Sequence, residues 1–129
     1  MLADVEEPRT LEEAIAVASE WAATNGTWVV VKGGHLNGKH ADNATVSPDG
    51  HVTRVPCPRV ETKNTHGTGC SLSSALAARL AAGDTLDAAL QWATEWIHEA
   101  IAHADELHVG KGHGPIDHGH RMRRLALSE

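Results

Sequence analysis

Gly67, Thr68, Gly69 and Cys70 follow one another in the stretch Asn64-Thr65-His66-Gly67-Thr68-Gly69-Cys70, and together they carry the groups that handle a phosphate or an oxyanion. The stretch sits between a β-prone, proline-punctuated approach, Val52 to Val60, and an Ala/Leu-rich run from Ser71 to Ala82 with the composition of a buried helix. It reads as a loop opening a helix. The first N–H groups of a helix have no intrahelical partner, and the helix dipole puts partial positive charge there. Gly67 and Gly69 remove the Cβ atoms that would hold an anion off, while Thr68 and Ser71 offer hydroxyls. Cys70 falls on the first turn, where the same field favours a thiolate, so it is a candidate base or nucleophile. The bare pattern is also met by a tight Gly-x-Gly turn followed by a small buried cysteine. A second candidate is Lys32, at the end of the apolar run Trp28-Val-Val-Val-Lys and followed by Gly33-Gly34. Open α/β sheets place ligands at the carboxyl ends of such strands.

The positioning elements follow from periodicity. Thr10-Leu-Glu-Glu has the residues of a capping box, and Leu11, Ala14, Ile15, Ala18, Trp21 and Ala22 then recur at helical spacing until Asn25-Gly26. The run Trp28 to Lys32 predicts a buried, parallel strand. Asn43-Ala-Thr-Val and His51-Val-Thr-Arg-Val, separated by Ser47-Pro-Asp-Gly, predict a β-hairpin at a sheet edge, with Pro56 and Pro58 marking its exit. The helix after Cys70, with Leu72, Leu76 and Leu80 among alanines, should be buried on more than one face. Gly83 closes it, and Asp84 or Thr85 caps a longer helix with an apolar stripe of Leu86, Ala89, Leu90, Ala93, Ile97, Ala100 and Ile101. Thr94, Glu95, His98 and Glu99 fall away from that stripe and are expected in solvent. From Leu107 the chain turns glycine- and histidine-rich, a C-terminal segment over residues 107–129 that ends in Arg121-Met-Arg-Arg, and that ending is expected to be mobile.

Composition narrows the function. The 129 residues suffice for a modest core, with Trp the sole aromatic type and alanine and the aliphatics left to do most of the packing. A net charge of −6 argues against a nucleic-acid surface and gives no membrane signal. The start lacks a signal-peptide pattern and no run approaches transmembrane length, so the expected location is the cytoplasm, with Cys57 and Cys70 as free thiols. His113, His118 and His120 could form an adventitious metal site, although no spacing imitates a dedicated zinc motif.

The run Glu61-Thr-Lys-Asn-Thr-His-Gly-Thr-Gly-Cys-Ser-Leu-Ser-Ser-Ala-Leu-Ala resembles the signature of the hydroxymethylpyrimidine and phosphomethylpyrimidine kinases of thiamine biosynthesis, in the ribokinase-like superfamily. Val29-Val-Val-Lys-Gly-Gly-His-Leu upstream and Gly110-Lys-Gly-His-Gly-Pro-Ile-Asp-His downstream agree, in the family's order. Glu61 stands where members often have Asp. The resemblance implies the C-terminal part of a ribokinase-like three-layer α/β/α domain, a single partial domain over residues 1–129. It implies ATP-dependent phosphorylation of a pyrimidine alcohol, with Mg²⁺, and in many members a second transfer onto the monophosphate. The amides from Gly67 to Cys70 would hold the transferring group, and Cys70 takes the place of the Asp that serves as base elsewhere in the superfamily. Lys32 and Gly33 would approach the nucleotide phosphates. His35 would order the loop, and Lys111 would touch phosphate or nucleotide. Thr62, Asn64, Thr65 and His66 would brace the anion loop, and Thr62, Asn64 or His66 could also touch nucleotide.

In that family the pyrimidine pocket and the acidic magnesium motif lie in an N-terminal half that this sequence does not contain. A bare sheet edge is therefore expected to be met by a companion N-terminal half or by a second copy of the chain. Two other readings stay open: a pyridoxal-type vitamin kinase of the same superfamily, and a non-catalytic phosphate- or nucleotide-binding module.

Overall fold

The computed structural model describes residues 6–34, 36 and 38–128, and the chain forms two compact units, residues 1–59 and 60–129. The first unit is a helix on a small sheet. Helix α1 (Leu11–Asn25) opens with the Thr10 side chain accepting from the Glu13 N–H at 3.2 Å, and it closes on Gly26 in the left-handed region (φ 61°). Glu13 reaches back one residue further than a capping box requires, to the Arg9 N–H at 2.8 Å.

Strands β1 (Val29–Lys32), β2 (Asn43–Val46) and β3 (Val52–Val55) form a three-stranded sheet in that order, with Val31 opposite Ala44 and Val46 opposite Val52. The hairpin β2–β3 turns through Ser47 to Gly50, where the Gly50 N–H donates to the Ser47 carbonyl at 3.0 Å. Strand β2 is buried along its whole length because it has a neighbour on each side. The expected parallel partner of β1 is not found among the described residues; β1 pairs antiparallel with β2. The connection of residues 33–42 is too short for the crossover that a parallel pairing needs. Ile15, Ala18 and Ala22 of α1 pack on Val31, Ala44 and Val46 to make this unit's core, flanked by Leu11, Ala14, Val29 and Val52.

The second unit is helical. Helix α2 (Thr68–Ala81) packs on α3 (Leu86–Ala102), joined by a turn in which Gly83 has φ 101° and Asp84 bonds Arg79 at 2.7 Å. The expectation that α2 is buried on several faces fails within the described residues: Leu72 and Leu76 are buried, whereas Leu80 is 43% exposed. Thr85 caps α3, accepting from the Ala88 N–H at 3.3 Å. Thr94, expected in solvent, is buried, because it sits beside Ala93 on the face that carries Leu90 and Ile97.

A short 3₁₀ turn (Ala104–Glu106) leads into the glycine-rich segment, which does not trail away. Ile116, Asp117 and His120 are buried, and helix α4 (His120–Leu127) lies against α3 through Glu99, which accepts from Arg121 (2.9 Å) and Arg124 (3.0 Å). Glu99 is thus an anchor for two arginines. Its carboxyl is held below the usual range, first by the Arg121 hydrogen bond. No helix of the described residues is long and apolar enough to cross a membrane.

Candidate active site

The loop leading into α2 is fixed by contacts far away in sequence. The Thr62 hydroxyl accepts from the Asn64 N–H (3.1 Å) and donates to Asp105 Oδ1 (2.5 Å). Asn64 Nδ2 donates to the same oxygen (2.6 Å), while Asn64 Oδ1 accepts from the Gly114 N–H (3.0 Å). These two donors, Thr62 first, hold the Asp105 carboxyl below its ordinary range. The His66 N–H donates to the Gly114 carbonyl (3.1 Å), and the His66 carbonyl accepts from the Ile116 N–H (3.4 Å), a short parallel pairing of the two motifs. His113 Nδ1 donates to the Lys63 carbonyl at 3.0 Å. Gly114 is buried, and a Cβ there would stand 2.5 Å from Asn64 Oδ1, so any larger residue would have to push the Asn64 side chain aside.

Gly67 then caps α2 from the left-handed region (φ 87°), with no side chain filling the cap. The Thr68 hydroxyl turns back to the Thr65 carbonyl (2.6 Å), and the Ser71 N–H closes the first helical bond on the Gly67 carbonyl (2.9 Å). Cys70 is exposed on that first turn. It lines a cavity of about 520 Å³ together with Ser71, Arg79, Trp92, Trp96 and His118. Ser71 Oγ lies 2.7 Å from His118 Nε2, and the His118 ring is tilted against Trp96 at 6.0 Å. A helix start with an uncapped N-terminus, glycines and an exposed thiol can hold an oxyanion beside a proton acceptor.

Of the residues singled out in the sequence, Thr62, Asn64, His66, Gly67, Thr68, Gly69 and Cys70 form one continuous loop and turn in the helical unit. Thr62 and Asn64 brace it with their side chains, as expected, whereas Thr65 and His66 do so through their main chains. Lys111 is exposed on the glycine-rich loop, just after Gly110 at φ 67°. Lys32 and Gly33 belong to the sheet unit: Lys32 is exposed at the end of β1, and the buried Gly33 N–H donates to Asn43 Oδ1 at 3.2 Å. A Cβ on Gly33 would run into the Asp42 carbonyl. His35 lies outside the described residues.

Sequence reasoning missed Asp105, the knot under the loop, which is 43 residues from Thr62 and 41 from Asn64. It also missed Arg59, whose guanidinium donates to the carbonyls of Gly34 (3.0 Å), Leu36 and Gly38 (2.9 Å), tying down the loop after Lys32. No local pattern announces such contacts. Among the described residues no three His, Cys, Asp or Glu side chains gather as they would to hold a metal, and His113, His118 and His120 each have separate neighbours.

The sequence profile described as Phosphomethylpyrimidine kinase matches residues 1–117. The Thiamine biosynthesis multifunctional protein ThiED of Corynebacterium glutamicum is 57% identical over 116 residues, which are 90% of this chain and 15% of that protein. The Hydroxymethylpyrimidine/phosphomethylpyrimidine kinase of Escherichia coli is 39% identical over 119 residues, 92% of this chain and 44% of that protein. Among solved structures, an ADP complex of Bacillus subtilis pyridoxal kinase superposes with a TM-score of 0.78 at 28% identity, covering 88% of this chain and 42% of that one. The pyridoxal kinase of Staphylococcus aureus in complex with ADP, at 22% identity and TM-score 0.79, covers 91% and 42% and shows the fold alone. The fold is thus α/β, matching the C-terminal part of a ribokinase-like three-layer domain, and the chain spans less than half the length of these relatives. With a family profile covering nearly the whole sequence and the loop and helix start in place, the chain belongs to the phosphomethylpyrimidine kinase family.

Proposed function

We propose that this chain supplies the anion-binding and nucleotide-side residues of an ATP-dependent kinase that phosphorylates hydroxymethylpyrimidine and then its monophosphate in thiamine biosynthesis. The observation that carries this reading is the exposed Cys70 on the first turn of an uncapped helix, behind a loop knotted to the Gly110–His118 motif, in a chain of this family. Phosphoryl transfer asks for alignment, charge neutralisation and a proton acceptor rather than covalent chemistry. The amides from Gly67 to Cys70 take the transferring group, strengthening their hold as charge develops in the transition state. Cys70 takes the substrate hydroxyl proton as general base. Lys32, with Gly33 letting the backbone approach, and Lys111 contact the nucleotide phosphates, with Thr62, Asn64 and His66 holding the loop in register and bordering the nucleotide. Mg²⁺ bound with the nucleotide would supply charge neutralisation at its phosphates, and the reaction is cytoplasmic.

The pyrimidine side of the site comes from a companion N-terminal half or a second copy of the chain. The test is to co-express the full chain with the N-terminal part of a related kinase and assay ADP release on hydroxymethylpyrimidine, its monophosphate and pyridoxal. Turnover of the pyrimidines is expected, and it should fall by orders of magnitude in Cys70→Ser while ADP binding is retained. Near-normal turnover in that variant would reject the base. The pyridoxal kinase structures favour a second reading, phosphorylation of a pyridoxal-type alcohol, which exclusive turnover of pyridoxal would establish. Binding of nucleotide without turnover of any alcohol would leave a non-catalytic module.

A further inference from the structure

Beside Cys70, the Ser71 hydroxyl sits 2.7 Å from His118 Nε2, and all three residues line the same cavity. His118 is presented by a backbone held on both sides of it. The Ile116 N–H donates to the His66 carbonyl (3.4 Å), the Asp117 N–H to the Ala100 carbonyl (2.9 Å), and the Gly119 N–H to Asp117 Oδ1 (3.1 Å). Ser71 in turn makes the first helical bond of α2 with Gly67 (2.9 Å). The pair therefore joins the glycine-rich motif directly to the turn that carries the thiol.

We propose that His118 is a positioning residue for the transferring phosphoryl group, acting through Ser71 by setting the direction in which the Ser71 hydroxyl points its proton. This inference rests on the anion-site reading above. With His118 neutral and its proton on Nδ1, Nε2 accepts the Ser71 O–H, and only oxygen lone pairs face an incoming anion. With His118 protonated, Nε2–H donates to Ser71 Oγ, and the hydroxyl proton is free to donate to a phosphoryl oxygen. One proton added to the imidazole thus turns Ser71 from a repulsive into an attractive neighbour of the anion, with a positive charge behind it. The other titratable or charged groups that face the cavity are Cys70 and Arg79 of α2; α3 contributes the rings of Trp92 and Trp96. Asp117, next to His118, is paired with Arg123, while His66, His113, Lys63 and Lys111 lie on the neighbouring loops.

The experiment is a sulfate titration of the full chain, followed by the amide NMR shifts of residues 67–71, at about pH 5.5 and about pH 8. Sulfate does not titrate in this range, so any change in affinity belongs to the protein. The wild-type chain should bind about tenfold more tightly at the lower pH, the size of one charge-assisted hydrogen bond. In His118→Gln, whose amide can still donate to Ser71, the two affinities should be equal. Ser71→Ala keeps the imidazole, reports on the hydroxyl without disturbing the loop, and should lose most of the gain. A His118→Gln profile that follows the wild type, a Ser71→Ala profile that does so, or a flat wild-type profile would each overturn the proposal while leaving the anion site standing. Absence of sulfate binding by the wild type at either pH would reject the anion-site reading itself, and this inference with it.

Discussion

The two cysteines differ in ways that residue-level physics makes measurable. Cys57 is half-buried, and burial first, then the Asp42 carboxylate, pushes its thiol up from the ordinary value; Asp42 also accepts the Cys57 N–H at 2.7 Å. Cys70 is exposed. Because the thiolate is the reacting species, a limiting dose of iodoacetamide near neutral pH should modify Cys70 well before Cys57, as read by peptide mass spectrometry. Equal labelling would contradict the placement. Gly114 carries a second prediction. Gly114→Ala puts a Cβ 2.5 Å from Asn64 Oδ1, so Asn64 must swing away and give up the bond that ties the anion loop to the glycine-rich motif. The expected cost is about 1–3 kcal/mol in denaturant unfolding, with weaker anion binding; an unchanged midpoint would mean that the loop does not depend on that contact. The role of Gly67 to Cys70 as a helix-opening turn was legible because glycines, hydroxyls and the following alanines state it locally. Asp105 was not legible, since nothing near it in sequence indicates that it would accept from Thr62 and Asn64.

At the scale of elements, legibility tracked locality in the same way. Helices α1 and α3 carry their caps, Thr10 and Thr85, next to their apolar stripes, and the β2–β3 hairpin carries its turn residues between its strands. Helix α4 carries no such signal. It carries three arginines, starts from a glycine-rich segment, and is held by charge: Arg121 and Arg124 on Glu99, and Arg123 on Asp117. At its first residue His120 is buried, stacked on His103 at 5.5 Å and near Glu99 and Arg124. Burial lowers its affinity for a proton, with Glu99 opposing. A base whose docked pKa lies below its undocked one favours docking fully above the ordinary imidazole range, and that contribution is lost as pH falls through the range. Glu99, held low by Arg121, stays ionised there and does not reverse the sign. Amide exchange in α4, corrected for its intrinsic pH dependence, should therefore show less protection at about pH 5.5 than at about pH 8. His120→Phe should flatten that difference, whereas an equal or larger one would place the switch elsewhere.

For the whole molecule, the question is what meets the free side of β1. Its buried partner strand β2 occupies one edge, while among the described residues no strand pairs with the other, Trp28 just before it is 48% exposed, and Val29 and Val30 are only partly covered. The continuous apolar run from Trp28 to Val31 suits a strand with neighbours on both sides, which is why the sequence suggested a parallel interior position that the antiparallel pairing with β2 does not by itself provide. The chain also spans 42% of the solved kinases that share its fold. In a ladder, alternate amides of a strand point to opposite neighbours, so β1 reports on its two sides separately. In the chain alone, amides of Val29–Lys32 directed at β2 should exchange slowly and the intervening ones rapidly. Co-expression with an N-terminal half should slow the second set by at least an order of magnitude, since pairing an edge takes its amides out of contact with water. If the second set is already slow in the isolated chain, and the mass in solution is twice that of one copy, a second copy fills the edge. If it stays fast in both preparations, the companion half does not dock on β1, and the pyrimidine side of the site has to be assembled from another surface.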